Sequence, residues 1–232
     1  MHRGLMVVPL AALLVAGCAS MKKAGIGGSG GPTVEDTQIA RLPPNQLSDV
    51  NQWRMKVTRA DDQVARAEVK INEANANLDA AKSQLKVDEQ QIKSANERIK
   101  AAQTRRDAQA ENQARSDLQS FQARVQVAQA QINAAQQEVE LAEAQHVLAE
   151  RKRTLTHAQL EEAKFMALRN ANDPAAGKYK PAEFQEAIRD AEASVSEQQS
   201  KVQKEKADYQ AAYASWQQAQ QRLTATSRPP PG

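Results

Sequence analysis

Eight aliphatic residues occupy every seventh position of one stretch: Val50, Val57, Val64, Ile71, Leu78, Leu85, Ile92 and Ile99. Three residues after each stand Trp53, Ala60, Ala67, Ala74, Ala81, Asp88, Ala95 and Ala102. Apolar positions recurring on average every ~3.5 residues form one stripe along an α-helix and predict a left-handed supercoil, with large aliphatics at one core position and mostly alanine at the other. Such a stripe demands a partner. A fully buried aliphatic contributes roughly 1.5 to 3 kcal/mol, so this seam is worth on the order of 10 to 20 kcal/mol, but only when another helix covers it.

Between Ile99 and Leu118 no apolar side chain exceeds alanine, and a second seam then begins with Leu118, Val125, Ile132 and Val139, matched by Phe121, Ala128, Ala135 and Ala142. Beyond it the register drifts through Leu141, Leu148 and Leu155 to Leu160, Phe165 and Leu168. Two architectures fit the seamless interval. In one, residues 103–117 hold a hairpin tip, turning near Asn112, with Ser116 and Gln119 forming a capping box for the next helix. The fold-back then sets Ile99 beside Leu118, Ile92 beside Val125, Leu85 beside Ile132 and Leu78 beside Val139. In the other, one helix runs unbroken to about Asn170 and needs partner chains along its length. The loss of phase favours the hairpin; the absence of glycine and proline from Asn45 to Asp173 argues for the unbroken helix.

Asp173-Pro174 stops the helix, because proline disfavours helical backbone at the residue before it and cannot continue the hydrogen-bond ladder. After a loop over 171–181, Pro181 suits the first position of a new helix, with Glu183 in its first turn. A third seam follows over 182–226: Ile188, Val195, Val202, Tyr209, Trp216 and Leu223, with Phe184, Ala191, Ala212 and Ala219 alongside. The chain ends in Arg228-Pro229-Pro230-Pro231, within a disordered tail over 227–232. With aromatic residues at only 3%, the pattern excludes an ordinary mixed domain. The fold class it predicts is all-α: a long antiparallel coiled-coil hairpin over 46–170, or a three-helix bundle, between a disordered tether and tail.

The first residues follow another logic. A basic start at His2 and Arg3, an apolar run from Leu5 to Ala16 and small residues up to Gly17 make up the three-part plan of a secretory signal peptide over 1–17. The run is shorter than the ~20 residues a membrane-crossing helix needs, and Pro9 interrupts it. It ends in Val15-Ala16-Gly17-Cys18, which resembles the lipobox of bacterial lipoproteins. The resemblance implies cleavage after Gly17, a diacylglyceryl thioether on Cys18, and an acyl chain on the new amine, palmitate or similar. Ala19 and Ser20 follow the cysteine where aspartate often retains such proteins at the inner membrane, so the resemblance implies the periplasmic face of the outer membrane. Two or three acyl chains at about 0.8 kcal/mol per buried methylene hold firmly. Cys18 is the single cysteine of the 232 residues, which excludes an intramolecular disulfide. Residues 18–45, with Gly25, Gly27, Gly28, Gly30, Gly31 and two proline sites, read as a flexible leash.

Other side chains invite a functional reading. His146, flanked at helical spacing by Glu143 and Glu150, suggests a metal or pH-sensing group, but the only other mature histidine, His157, lies about three turns away, and a polar seam residue is the simpler reading. Asp88, Gln198 and Glu205 interrupt the seams and can fix register. Arg105-Arg106 and Arg151-Lys152-Arg153 are the densest basic clusters in a chain of formal net charge +3; a solvated face is expected, with anionic lipid or cell wall facing the arginine pair if it caps a hairpin. Tyr209, Tyr213 and Trp216 read as core aromatics, with ligand recognition as the rival.

Nothing resembles a nucleophile with its base, a carboxylate pair in a cleft or a cofactor fingerprint, so neither enzyme activity nor a cofactor or metal is expected. The reading is a membrane-anchored periplasmic lipoprotein, similar in general to alanine-rich coiled-coil envelope lipoproteins. It would touch the bilayer through Cys18 and itself or another envelope protein through helical surfaces, with a structural role. A chaperone-like clamp for unfolded outer-membrane proteins and an accessory hairpin of an export apparatus are alternatives. Nucleic acid is not an expected partner. The murein lipoproteins carry an attachment lysine at the C-terminus, whereas this chain ends in Pro231-Gly232, so no covalent peptidoglycan link is expected.

Overall fold

In a computed structural model, residues 31–226 are described and are helical with no strand among them. The signal peptide, the Cys18 lipobox, the leash up to residue 30 and the tail over 227–232 lie outside the described residues. The elements in chain order are a single turn α1 (Asp36–Ile39), a 3₁₀ turn (Pro44–Gln46), α2 (Ser48–Arg105), α3 (Ala108–Asn170), a 3₁₀ turn (Pro174–Lys178) and α4 (Pro181–Thr226). The three long helices hold 58, 63 and 46 residues, which at about 1.5 Å per residue makes them roughly 87, 95 and 69 Å long.

The hairpin is therefore the form adopted, but it turns at Arg106-Asp107 and not near Asn112. Arg106 takes the left-handed conformation, with φ 56° and ψ 33°. Its N–H donates to the Gln103 carbonyl at 3.1 Å, and the Asp107 N–H donates to the Ala102 carbonyl at 3.0 Å. These are the two hydrogen bonds of a Schellman motif, which satisfy carbonyls orphaned at the end of α2. Asp107 then caps α3, its side chain accepting from the Ala110 N–H at 3.0 Å. One residue thus closes one helix and opens the next, and Ser116 lies inside α3, capping nothing.

The same device recurs at the far end of α3. Asn172 has φ 53°, its N–H donates to Arg169 at 3.1 Å, and Asp173 donates to Leu168 at 3.0 Å. The Asp173 side chain then accepts from the Ala175 N–H at 2.8 Å, opening the following turn. Pro181 begins α4, with Glu183 in its first turn, where the carboxylate faces the positive end of the helix dipole.

Cross-helix pairs fix the register of α2 against α3. Arg98 meets Asp117 at 2.9 Å and Arg153 meets Asp61 at 2.6 Å, while the Asn77 amide donates to Glu138 at 3.5 Å. These pairs are within about half a turn of the register that the aliphatic layers predict. Along α2 the alanine line (Ala60, Ala67, Ala74, Ala81, Ala95 and Ala102) is buried together with Asp88, whereas Val57, Val64, Ile71, Leu78, Leu85 and Ile92 are half-buried. An alanine on the line of contact is covered completely; a longer side chain beside it reaches past the contact and shows its end to solvent.

α3 is the central helix. It packs along α2 on one side and α4 on the other, and α2 and α4 have almost no direct interface. This explains the register drift in the second seam. Ala128, Ala135 and Ala142 are one buried line, while Ala144 and Ala158 belong to another, marked by Gln198 of α4, whose amide donates to the Ala144 carbonyl at 2.9 Å. Serving two neighbours requires two stripes, and along the sequence these read as one seam losing phase. Because α4 is the shortest helix, the tip of the α2–α3 hairpin extends beyond it by roughly 15 to 20 Å.

The stretch from residue 31 to 45 departs from the expected leash. Val34, Ile39 and Leu42 are buried with Val50, Leu160, Phe165, Leu168 and Phe184 in the main hydrophobic cluster, at the end of the rod opposite the tip. The leash thus ends at Gly31 or earlier, and the residues after it form a clasp across the base.

Candidate functional site at the two ends of the rod

At the base, the clasp is held by packing and by one ionic node. Phe165 stacks on Phe184 with ring centroids 5.0 Å apart, and Tyr179 sits edge-on to Phe165 at 6.4 Å. The Tyr179 hydroxyl donates to the buried Gln38 side chain at 3.0 Å. The Val34 N–H donates to the Glu161 carboxylate at 2.7 Å, satisfying a backbone group that burial would otherwise orphan. Gly31 lies so close to α4 that a side-chain carbon there would stand 2.7 Å from Ala187 Cβ.

Lys164 is the node. It is 5% exposed, and its ammonium lies 2.9 Å from Glu161 and 3.0 Å from Asp36. Burial works to lower its pKa, but the hydrogen bonds and charges of Glu161 and Asp36 outweigh it, leaving the pKa above the ordinary lysine value. The carboxyl of Asp36 is correspondingly held below the ordinary range, chiefly by its hydrogen bond from Lys164, with Arg54 adding a further contact at 3.3 Å. Neither Lys164 nor Asp36 stands out in the sequence. Their only signal was a lysine in register with the large apolar residues around Phe165.

At the tip, Arg105 and Arg106 are exposed on the turn itself. A shallow hollow of about 300 Å³ beside them is lined by Arg98, Arg105, Asp107, Gln113 and alanines of both helices. Glu111 stands in the first turn of α3, where hydrogen bonds from Gln103 and then Arg115 hold its pKa below the ordinary value. The second basic cluster, Arg151-Lys152-Arg153, is exposed along the shaft, where Arg153 is bound to Asp61.

The remaining predicted positions do not come together. His146 is half-buried, with Nδ1 3.9 Å from Glu150, and His157 lies eleven residues further along α3. No group of three or more metal-ligating side chains occurs among the described residues. Of the seam-breaking residues, Gln198 reaches across to α3, whereas Asp88 accepts from Gln84 of its own helix at 3.3 Å and Glu205 pairs with neighbouring Lys204 at 3.6 Å. Tyr209, Tyr213 and Trp216 do cluster, on the face of α4 turned toward α2. No described helix is long and apolar enough to cross a membrane. The chain matches no protein-family model, no curated protein and no solved structure.

Proposed function

We propose that the chain is a lipid-anchored envelope rod, fixed to the outer membrane by acyl chains on Cys18, whose base stands near the bilayer and whose basic hairpin tip contacts a protein partner. The observation that carries this reading is the clasp. Gly31 is seated at the base, and the twelve residues between Cys18 and Gly31 let the chain reach at most about 45 Å when extended. The tip, by contrast, lies a helix length of roughly 90 Å from that base. Anchor and tip are then at opposite ends of the rod.

The tip favours end-on contact over a clamp. It is a two-helix segment free of α4, with exposed arginines on its turn and a hollow between its helices. A clamp for unfolded clients would need a long apolar concavity, whereas the apolar stripes here face α3.

The reading is tested in two steps. Replacing Cys18 with alanine should abolish metabolic labelling by palmitate and release the protein from membranes. In cells, a photo-crosslinker at Gln109, near the tip, should capture a discrete partner, while one at Lys178, at the base, should capture lipid or membrane protein. Retained labelling without Cys18, or indistinguishable products from the two positions, would contradict the proposal.

A further inference from the structure

The hollow at the tip repeats a feature of the shaft. There the groove along α2 and α3 is lined by Asn77 and Ala80 of α2 and by Gln131, Ala134 and Ala135 of α3, and its outer wall is α4, which brings Tyr209, Tyr213 and Trp216 to it. Moving three heptads toward the turn on each helix gives Arg98 and Ala101 on α2 and Ala110, Gln113 and Ala114 on α3, and all five line the tip hollow. The Asn77–Glu138 contact at 3.5 Å becomes the Arg98–Asp117 pair at 2.9 Å by the same shift. Whole heptads on antiparallel helices return to the same face, here about 32 Å nearer the turn. The tip hollow therefore continues the seat that α4 occupies. α4 ends at Thr226, and the hollow of about 300 Å³ is lined by α2, α3 and their turn alone.

The shaft shows what this seat takes. Between Ile99 and Leu118 neither helix supplies an apolar side chain larger than alanine, so the floor at the tip leaves depth for a large side chain carried by another helix. In the shaft α4 supplies such side chains as rings, with Tyr213 edge-on to Trp216 at 5.3 Å. The wall differs in charge. The amides of Asn77 and Gln84 give way, three heptads on, to Arg98 and Arg105. Arg98 is engaged by Asp117, while Glu111 is held by Arg115 at 2.6 Å and Asp107 caps α3. Arg105 is exposed and enters no ion pair among the described residues, so a carboxylate brought by an occupant meets a guanidinium that is not already taken. A second copy docked tip to tip would instead set arginine against arginine.

We infer that the tip seats an α-helix of a partner protein along the line that α4 leaves, with a large aromatic side chain over the alanine floor and a carboxylate toward Arg105. This rests on the reading of the tip as the contact end and names the chemistry of what it contacts.

The probe is a helix-stapled, fluorescein-labelled peptide of the α4 sequence 205–223 carrying Gln210→Glu and Gln217→Glu, titrated with the full-length protein in detergent. Saturable binding by anisotropy is expected. It should weaken about tenfold with Ala101→Trp, which fills the hollow, and with Arg105→Ala, which removes the free charge. Both positions are exposed, so circular dichroism should be unchanged. In cells, Ala101→Trp should also remove the crosslink from Gln109. The inference is overturned if no saturable binding occurs, if a peptide of the same charge with Tyr209, Tyr213 and Trp216 changed to alanine binds as tightly, or if Ala101→Trp leaves binding unchanged. Binding only to a chain shortened at Thr226 would overturn it by assigning the seat to the residues that follow, and self-association abolished by Ala101→Trp would overturn it by assigning the seat to a second copy. A Gln109 crosslink that survives Ala101→Trp leaves the tip as the contact end and removes this seat, whereas no crosslink from Gln109 at all sinks the contact reading and the inference with it.

Discussion

Arg106 occupies a backbone conformation that glycine adopts without steric cost, and at φ 56° an arginine there is held at the expense of about 1 kcal/mol. Arg106→Gly should therefore raise stability by about 0.5 to 1 kcal/mol in urea unfolding, less any gain in unfolded-chain freedom. If the tip is the contact surface, the same variant should lose tip crosslinking while being the more stable protein. Lys164 makes the opposite case. Lys164→Met leaves the shielded Glu161 carboxylate without its cation and takes one of two cationic partners from Asp36, and should cost on the order of 2 kcal/mol locally. The pH dependence follows from the two shifts. Asp36, with its pKa lowered, contributes stability above the ordinary carboxylate range that is lost as pH falls through its depressed value. Lys164, with its pKa raised, contributes stability below the ordinary 10.5 that is lost as pH rises through its higher value. Because Asp36 is largely exposed, solvent screens its share and the acid effect is the smaller one. Trp53 packs against the clasp cluster, so its emission followed from acid to alkali should be flat through neutrality and change at both extremes.

At the scale of the helices, the alanine lines set how closely the shafts approach. Ala74 is 2% exposed on the α2–α3 contact, and Ala74→Leu should destabilise by about 1 to 3 kcal/mol through overpacking, read as a lower thermal midpoint. The three seams were legible because a heptad repeat over many turns has no other physical meaning. The seamless interval 103–117 also brackets the turn, but it does not mark the residues on which the turn is made. Asn112 and the Ser116-x-x-Gln119 box are the usual marks of a turn and a cap, whereas the chain turns on an arginine in a left-handed conformation followed by an aspartate that caps. The Arg106-Asp107 and Asn172-Asp173 pairs show the local signal that would have located it. The clasp was illegible for a different reason. Val34, Ile39 and Leu42 have no helical or strand period and sit between glycines and prolines, so only the cluster they complete across 120 residues and more of sequence gives them meaning. The aromatic cluster was visible as residues, but its groove depends on α2 and α4 standing apart, which no single helix encodes.

Among the described residues the molecule has a shaft of three helices, a two-helix tip and a clasped base, and these parts need not unfold together. Contacts run mainly between neighbouring stretches of adjacent helices, an arrangement in which local opening is expected before global unfolding. Ile39→Ala, which removes most of a fully buried side chain, should cost about 2 to 4 kcal/mol in the clasp. Hydrogen exchange should then report faster exchange for the amides of α1 and the 3₁₀ turn after it, with protection in the middle of α2 and α3 unchanged. Uniform loss of protection along the rod would instead mean that clasp and shaft are one cooperative unit.

The clasp also has a mechanical meaning. Any tension that reaches the rod from its N-terminal side is applied at Gly31 and meets the Val34–Glu161 hydrogen bond and the Asp36–Lys164 pair before it meets a long helix. Those few contacts are loaded one after another, whereas the α2–α3 contact shares load along dozens of residues. Pulling therefore peels the base first, releasing the segment before α2 while the shaft keeps its shape. The base acts as a fuse in series with the rod.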